Sequence, residues 1–500
     1  MSEGMSVTNL RLKYPGDDAP LIFQGVSFSI EPGEKVLLLG PSGCGKSTLL
    51  QVLSGIVPDM IELPLKADEI SKPSRWGYVF QDPDTQFCMP YIDEEIAFVL
   101  ENQEVPREDM PARIRYYLDL VGLHVPDAHT LISTLSQGMK QRLAIASVLA
   151  LEPEVLFLDE PTALLDDEGT KQVWDTIRTI SGDKTLLVVE HKISGMLDLL
   201  DRLIILTPEG KVLADGQPLA MFEMYKEQMR EYGIWYPEVW EDYAKANVQA
   251  DVRREEDQAD RQPTNMEPLA PVMVFQDFVG VRGGQIRTSV DNFSVYPGDW
   301  ITVVGANGAG KSSLLLAIMR LIPTRGNCQI AGVKGNKVEH LAEQVGFVFQ
   351  NPEFQFVTNS VEEELTYGLP KGQQKGQWAA AELLLREYDL LALRERHPFQ
   401  LSLGQKRRLS VASAMVRGPR VLLLDEPTFG LDARGTLRML EGLERLRASG
   451  TVIVMVTHDH EIVQRWATRV WQVDAGRVTE VTHAPAVTSS VPGGEPLLCK

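Results

Sequence analysis

The chain has 500 residues, of which 44% are hydrophobic and 24% are charged. This length predicts two domains of about 220 residues each, and the composition is typical of a globular protein. The formal net charge of −20 argues against nucleic acid as the main partner, because nucleic-acid binders usually carry a basic surface. No apolar run approaches the roughly 20 residues of a membrane helix. Four scattered cysteines favour a reducing compartment, so we expect a cytoplasmic location.

Two glycine-rich loops, residues 40–47 and 305–312, repeat the pattern G-x-x-x-x-G-K-S at an offset of 265 residues. Each loop follows a short apolar run and precedes a leucine-rich segment, which predicts the order strand, loop, helix. Backbone N–H groups of such a loop surround phosphates, the lysine supplies charge for the β and γ oxygens, and the serine offers a hydroxyl to Mg²⁺. The predicted nucleotide-binding residues are Gly40, Ser42, Gly43, Gly45, Lys46, Ser47, Thr48, Gly305, Asn307, Gly308, Gly310, Lys311, Ser312 and Ser313.

A second pair of segments, residues 155–166 and 421–432, is identical at nine of its twelve positions. In each, four apolar residues of a predicted buried strand deliver two adjacent acids to the carboxyl edge of a sheet, where α/β proteins bind ligands. The first acid suits Mg²⁺, and the second can act as general base toward an attacking water. The residues concerned are Asp159 and Asp425 for the metal, and Glu160 and Glu426 for the base.

The segments 135–139 and 401–405, each roughly 20 residues before its carboxylate strand, resemble the signature loop of ATP-binding cassette ATPases. Further matches to that family are Gln81 and Gln350 (Q-loop), Asp166 and Asp432 (D-loop), and His191 and His458 (switch histidine). The resemblance implies an α/β fold of two tandem P-loop (RecA-like) cassette domains, each with an antiparallel β part and a helical subdomain. We expect one cassette at 5–232, a linker at 233–270, a second cassette at 271–483 and a disordered tail at 484–500.

The resemblance also implies that the two halves pair head to tail within the chain and hold ATP and Mg²⁺ between them. The first site would combine Lys46, Ser47, Gln81, Asp159, Glu160 and His191 with Ser402 and Gly404. The second would combine Lys311, Ser312, Gln350, Asp425, Glu426 and His458 with Ser136 and Gly138. The family assigns catalysis to the glutamates and histidines, and Mg²⁺ binding to Ser47, Gln81, Asp159, Ser312, Gln350 and Asp425.

Two features depart from perfect repetition, and an aromatic patch lies in the predicted linker. Met139 stands where the family often has glutamine, as Gln405 does in the second half. Tyr14 could stack on adenine in the first half, whereas Val279 occupies the matching position in the second half, with Phe278 and Arg282 nearby. Arg282 could stack on adenine as a planar cation. An aromatic patch at residues 235–243 is expected to pack back on the first domain.

Both Q-loops share a longer pattern, residues 79–87 and 348–356, and each leads into an acidic helix start at 93–95 or 362–364. These features resemble the ATPase subunits of energy-coupling-factor importers, some of which are associated with hydroxymethylpyrimidine or thiamine uptake. The resemblance implies separate partners, an integral membrane transport subunit and a substrate-binding membrane subunit, with this chain at the cytoplasmic face of the cell membrane. The acids could dock basic helices of the partner, or only cap their own helices.

Two other classes of double-cassette protein remain as alternative assignments. Sugar-importer ATPases have a similar length, but one of their halves commonly lacks catalytic residues, whereas this chain has both Glu160 and Glu426. Ribosome-acting double-cassette factors carry a longer charged linker and basic surfaces, unlike a chain with net charge −20. The sequence therefore favours an ATPase that powers uptake of a vitamin, vitamin precursor or metal ion.

Overall fold

The computed structural model describes residues 4–15, 21–163, 165–191, 193, 195–246, 270–330, 332–333, 337–367, 369 and 374–481. The predicted tail and residues 247–269 of the predicted linker lie outside these ranges. Two compact units are present. The first consists of Met1–Gln262, Glu387–Arg408 and Thr428–Met439, and the second of Pro263–Arg386, Leu409–Pro427 and Leu440–Lys500.

The first unit contains two sheets. Its strands are Met5–Lys13 (β1), Leu21–Ile30 (β2), Lys35–Leu39 (β3), Leu65–Lys66 (β4), Glu69–Ser71 (β5), Trp76–Val79 (β6), Val155–Asp159 (β7), Thr185–Val189 (β8), Arg202–Leu206 (β9) and Val212–Gly216 (β10). An antiparallel sheet has the order β2-β1-β4, with β5 also paired to β1. The larger sheet has the order β10-β9-β3-β8-β7-β6 and is parallel except for β10.

The burial pattern of the strands explains why the first unit has one antiparallel and one mainly parallel sheet. Strand β2 alternates between exposed and buried residues over most of its length, as a sheet with one solvated face requires. Strands β7 and β8 are buried at every position, because helices cover both faces of a parallel sheet. The helices of the first half include Lys46–Ser54 (α1), Ile56–Asp59 (α2), Ile92–Asn102 (α3), Met110–Leu120 (α4), Gln137–Leu149 (α5), Asp167–Ser181 (α6), Pro218–Met224 (α7) and Lys226–Tyr232 (α8). Short 3₁₀ turns occur at Pro83–Thr85, Ile132–Thr134 and Leu197–Leu199.

The aromatic patch packs within the first unit, as expected. Tyr236 is buried in the core cluster that also holds residues of β3, β7 and β8, and Trp235 packs against the same cluster. The indole Nε1 of Trp235 donates to the Leu431 carbonyl oxygen at 3.1 Å, and the Ala433 N–H donates to the Gly233 carbonyl oxygen at 2.9 Å. Side chains beyond Tyr232 therefore still contribute to this core.

Among its described residues, the second unit contains one mixed sheet of ten strands. They are Met273–Arg282 (β11), Gln285–Val290 (β12), Ser294–Val295 (β13), Trp300–Val304 (β14), Thr324–Ile330 (β15), Val345–Val348 (β16), Val421–Asp425 (β17), Val452–Val456 (β18), Arg469–Asp474 (β19) and Arg477–Val481 (β20). The order is β13-β11-β12-β20-β19-β14-β18-β17-β16, with β15 on β11. A two-residue parallel pairing of β12 with β20 joins the antiparallel part to the parallel core.

The helices of the second half are Lys311–Ile318 (α9), Val338–Ala342 (α10), Val361–Thr366 (α11), Gln374–Glu387 (α12), Leu403–Met415 (α13), Ala433–Ala448 (α14) and His460–Trp466 (α15), with 3₁₀ turns at Pro352–Gln355, Leu391–Leu393 and Pro398–Gln400. The predicted α/β fold, with an antiparallel part and a helical part accompanying each phosphate loop, is confirmed. Among the helices that the structure describes, none is both long and apolar enough to cross a membrane.

Candidate functional site

Four neighbouring parallel strands bring the predicted residues of the first half to one edge of the sheet. The phosphate loop follows β3, Gln81 follows β6, Asp159 ends β7, and His191 lies two residues beyond β8. Because the strands are parallel, their carboxyl ends meet at the same edge, which is where α/β sheets bind ligands.

The first phosphate loop is shaped by its glycines and filled by its lysine. Gly45 has φ of 97°, and a Cβ there would meet Ile22 Cγ2 at 2.5 Å, so a side chain is excluded. The buried Lys46 Nζ donates to the carbonyl oxygens of Gly40 at 2.9 Å and Pro41 at 3.1 Å. The lysine charge is thus held inside the loop, where phosphate oxygens would be bound.

Three side chains converge on the first candidate metal position. Ser47 Oγ donates to Asp159 Oδ1 at 2.8 Å, and Tyr78 Oη donates to Asp159 Oδ2 at 3.0 Å. Burial, followed by the negative charge of Glu160, raises the pKa of Asp159 to about 6. A hydroxyl and a desolvated carboxylate beside a second acid form an oxygen-rich, electronegative position. Mg²⁺ fits such a position, where it would hold and polarise phosphate oxygens.

Glu160 is held from two sides. Gln81 Nε2 donates to its Oε2 at 2.6 Å, and His191 Nε2 lies 3.1 Å from its Oε1. Burial acts to raise the pKa of Glu160, but the charge and hydrogen bond of His191 and the charge of Lys46 outweigh it, and the pKa is lowered. The carboxylate therefore stays ionised at neutral pH, which a proton acceptor requires.

Glu190, directly before the switch histidine, is a buried acid that sequence reasoning missed. Its Oε1 accepts hydrogen bonds from Thr162 N at 3.2 Å and from Thr162 Oγ1, and its Oε2 accepts one from His191 N at 2.9 Å. Tyr78 was also missed. The second half has Thr457 at the position of Glu190 and Phe347 at the position of Tyr78. A comparison of the two repeats could therefore have identified both residues.

The second unit repeats the arrangement at its own sheet edge. Lys311 Nζ donates to the carbonyl oxygens of Gly305 at 2.6 Å and Ala306 at 3.0 Å. His458 Nε2 lies 3.1 Å from Glu426 Oε1, the same distance as in the first unit. Ser312 is the second residue of α9, directly after the loop, Gln350 follows β16, and the buried Asp425 ends β17.

The two signature loops cap their helices differently. Ser136 is the N-cap of α5, and its Oγ accepts from Met139 N at 3.3 Å. Ser402 Oγ accepts from Gln405 N at 3.4 Å, while Gln405 Oε1 accepts from Ser402 N at 3.0 Å. The second loop thus has a reciprocal capping box, which methionine cannot form because it lacks the acceptor.

Residues of the first phosphate loop share a cavity with the end of the second D-loop. The cavity lies in the first unit, has a volume of about 440 Å³ and is lined by Pro41, Ser42, Gly43, Pro208, Glu231, Tyr232, Asp389, Arg408, Asp432, Arg434 and Gly435. Asp432 Oδ1 caps α14 by accepting from Gly435 N at 2.7 Å, and Asp166 Oδ1 caps α6 by accepting from Gly169 N at 2.8 Å.

The residues near the two predicted adenine positions differ in their exposure to solvent. Tyr14 is 51% exposed, and its hydroxyl lies 3.0 Å from Thr48 Oγ1 on α1, beside the phosphate loop. Phe278 is buried and packs edge to face on Phe275, so burial removes it as a stacking partner for adenine. Arg282 is exposed at the end of β11 and stays a candidate in the second half.

The interpretation of the acidic clusters as three-residue docking sites requires correction. Glu95 is buried, and its Oε2 accepts from Cys88 N and Met89 N, both at 2.9 Å. Glu364 is buried in the same way, with its Oε2 accepting from Val357 N and Thr358 N at 3.0 Å. These two acids tie their own loops to the helix, and only the first two acids of each cluster are accessible.

Two stretches of the chain, residues 23–163 and 289–429, match the ABC transporter family. The matches cover more than half of the chain, which therefore belongs to this family and is an ATP-binding ATP hydrolase with two fused cassettes. The sequence-based recognition of a fused double cassette is confirmed.

Relatives align over nearly the whole length. YkoD of Bacillus subtilis (strain 168), provisionally named an HMP/thiamine import ATP-binding protein, is 37% identical over 493 residues, covering 94% of this chain and 89% of YkoD. A protein of Methanosarcina acetivorans, provisionally named an ABC transporter ATP-binding protein, is 32% identical over 533 residues, covering 95% of this chain and 85% of its own.

Two solved structures share the fold. They are archaeal ribosome recycling factor aABCE1, crystallised with ribosomal stalk protein aP1, with a TM-score of 0.62, and an RNase-L inhibitor, with a TM-score of 0.60. Each is 19% identical in sequence and covers 94% of this chain and 89% of the solved chain. At this identity the likeness concerns the fold alone.

Proposed function

We propose that this chain is the ATPase subunit of a membrane importer of the energy-coupling-factor type, which takes up a vitamin or vitamin precursor of the hydroxymethylpyrimidine/thiamine class. Separate membrane subunits would bind and pass the cargo, and the chain would sit peripherally at the cytoplasmic membrane face. ATP and Mg²⁺ would occupy two sites, each completed by the signature loop of the opposite half. The name and near full-length similarity of YkoD support the cargo class.

The observation that carries the proposal is the direct contact of Gln81 with Glu160, at 2.6 Å. Gln81 leads through the turn Pro83–Thr85 into α3, so a change at the catalytic carboxylate is transmitted to the helical part. In the second half, Gln350 leads in the same way into Pro352–Gln355 and α11. This is the linkage that an ATPase needs to move a membrane partner.

The surface that follows the second Q-loop supports the docking of an apolar partner. Phe354, Val357 and Tyr367 are large side chains with 75%, 65% and 70% of their surface exposed. Exposed apolar residues concentrated in one short segment commonly mark an interaction site. The accessible acids beside them, Glu362 and Glu363, would add charge complementarity to a basic helix.

The docking proposal is tested by reversing charge only where the acids are accessible. Glu94→Lys combined with Glu363→Lys leaves the buried Glu95 and Glu364 in place, so the loops keep their hydrogen bonds. We expect the variant to lose recovery with co-expressed membrane subunits and cargo uptake while retaining ATP binding. Glu209→Lys with Glu343→Lys, at exposed positions elsewhere, is the matched control.

Normal assembly and uptake by the Glu94→Lys/Glu363→Lys variant would contradict docking through these acids. Recovery of the wild-type chain with ribosomes instead of membrane proteins would favour the alternative of a ribosome-acting double-cassette factor. Uptake of a sugar by the assembled complex would favour the sugar-importer alternative.

A further inference from the structure

We propose that Glu190 is a positioning residue of the first hydrolytic site and that it makes the two sites of this chain inequivalent. The inference rests on the proposed role of Glu160 as catalytic base. Glu190 forms its hydrogen bonds with Thr162 and His191, and it acts on Glu160 through the segments that carry these residues.

The geometry places one carboxylate between two catalytic segments. Glu190 is 3% exposed and directly follows β8. One oxygen accepts from the amide and hydroxyl of Thr162, two residues after Glu160, and the other accepts from the His191 amide. A single side chain thus connects the turn that carries the base to the segment that carries the histidine, and it supports their 3.1 Å contact.

The second half has a different residue, with a different hydrogen bond, at the position that matches Glu190. Thr457 is buried directly before His458, and its Oγ1 accepts a hydrogen bond from Asp459 N at 3.1 Å. That bond remains within the histidine segment. A threonine side chain has no second acceptor group comparable to a carboxylate, so the connection made by Glu190 belongs to the first site.

The protonation of Glu190 adds a pH dependence. Burial, followed by the negative charge of Glu160, raises the pKa of Glu190 to about 7, with His191 acting in the opposite direction. Glu160 and His191 are the charged or titratable groups whose charge bears on it. Above this pH both oxygens are acceptors, whereas protonation turns one of them into a donor. First-site hydrolysis should therefore decline as the pH falls through about 7.

The test compares the sites one at a time. In a Glu426→Gln background, in which hydrolysis depends on the first site, Glu190→Gln should lower single-turnover hydrolysis at pH 8 roughly tenfold, since small misplacements of a base are costly. The acid decline near neutral pH should disappear, because the glutamine amide, unlike the carboxyl group, does not titrate in this range. In a Glu160→Gln background, Glu190→Gln should change neither the rate nor the profile of the second site.

Three further variants sharpen the outcome. Thr162→Val should reproduce the loss, and adding it to Glu190→Gln should cost less than about twofold more, since both remove one connection. Glu190→Thr, which installs the residue of the second half, should also remove the pH dependence. Thr457→Ser, which keeps the hydroxyl, should leave both profiles unchanged. Retained ATP binding shows that each variant is folded.

Superimposable pH profiles for Glu190→Gln and its parent in the Glu426→Gln background would overturn the inference. Equal changes in both backgrounds would also overturn it, because the effect would then be general. Failure of the underlying assignment is recognised separately: persistent turnover when Glu160 and Glu426 are both glutamine would remove the bases themselves, whatever Glu190 does.

Discussion

Glu160 and Glu426 adopt left-handed backbone conformations, with φ of 49° and 52°. Both residues precede proline, and such conformations cost about 1–3 kcal/mol for a residue with a side chain. The same strain occurs at the same place in both units, and in each it brings the carboxylate within 3.1 Å of the switch histidine. Strain that recurs at the same place in both units agrees with the proposed role of Glu160 and Glu426 as catalytic bases.

The double substitution Glu160→Gln/Glu426→Gln should keep ATP binding and reduce steady-state hydrolysis by at least about 100-fold, because the amide keeps the shape but cannot accept the proton. Phosphate release and equilibrium nucleotide binding measure the two properties. Glu209→Gln, at an exposed position, is the control. Wild-type turnover in the double variant would exclude these residues as bases.

Among single residues, those that recur in both halves of the chain could be predicted from the sequence. Lys46, Asp159 and His191 were predicted because chemically distinct residues recur at a nearly constant offset, and the structure brings them to one sheet edge. The roles of Tyr78 and Glu190 were missed because their contacts depend on the packing of strands far apart in sequence. The sequence alone does not distinguish a buried glutamate from a glutamate on the surface.

The elements that present the signature loops differ in how their first turn is closed. Helix α13 begins with the reciprocal side-chain bonds of Ser402 and Gln405, whereas the side-chain cap of α5 is the bond from Met139 N to Ser136 Oγ. An N-terminal N–H without a side-chain partner depends on water or ligand. The first signature helix should therefore fray more readily at its start.

We expect Met139→Gln to slow amide hydrogen exchange at the start of α5 about three- to fivefold, as completion of a capping box stabilises a helix end by up to about 1 kcal/mol. Gln405→Met should accelerate exchange at Ser402 by a similar factor. Mass spectrometry of peptic fragments that contain each loop provides the measurement. Unchanged exchange in both variants would show that the Gln405 contact contributes little.

In the whole molecule, the segment Glu387–Arg408, which carries Ser402 and Gly404, belongs to the same compact unit as the first phosphate loop. This membership agrees with the expected completion of the first site by the second signature loop. The joining of β12 to β20 in the second unit was not predicted, because only two residue pairs form it and they are nearly 190 positions apart. Such short long-range pairings leave no periodic pattern in a sequence.

Ser402→Arg should impair hydrolysis and nucleotide trapping at the site that contains Lys46, more than 350 residues away in sequence. The reason is that a bulky cation would replace the small hydroxyl and crowd the N-terminus of α13. Ser402→Ala, which removes the hydroxyl without adding bulk, should have a smaller effect. Photolabelled peptides from each phosphate loop distinguish the sites, and a loss confined to Lys311 would reverse the assignment.

The differences between the halves at Glu190 and Thr457, and at Tyr78 and Phe347, have a consequence for stoichiometry. If such halves were encoded as separate subunits, a cell could assemble two kinds of matched pair beside the mixed one. Because the two halves are joined in one chain, every molecule contains one copy of each half. No further step is needed to select the mixed pair. This fusion also means that recombination between the two repeats, by making them alike, would erase a distinction that the single chain preserves.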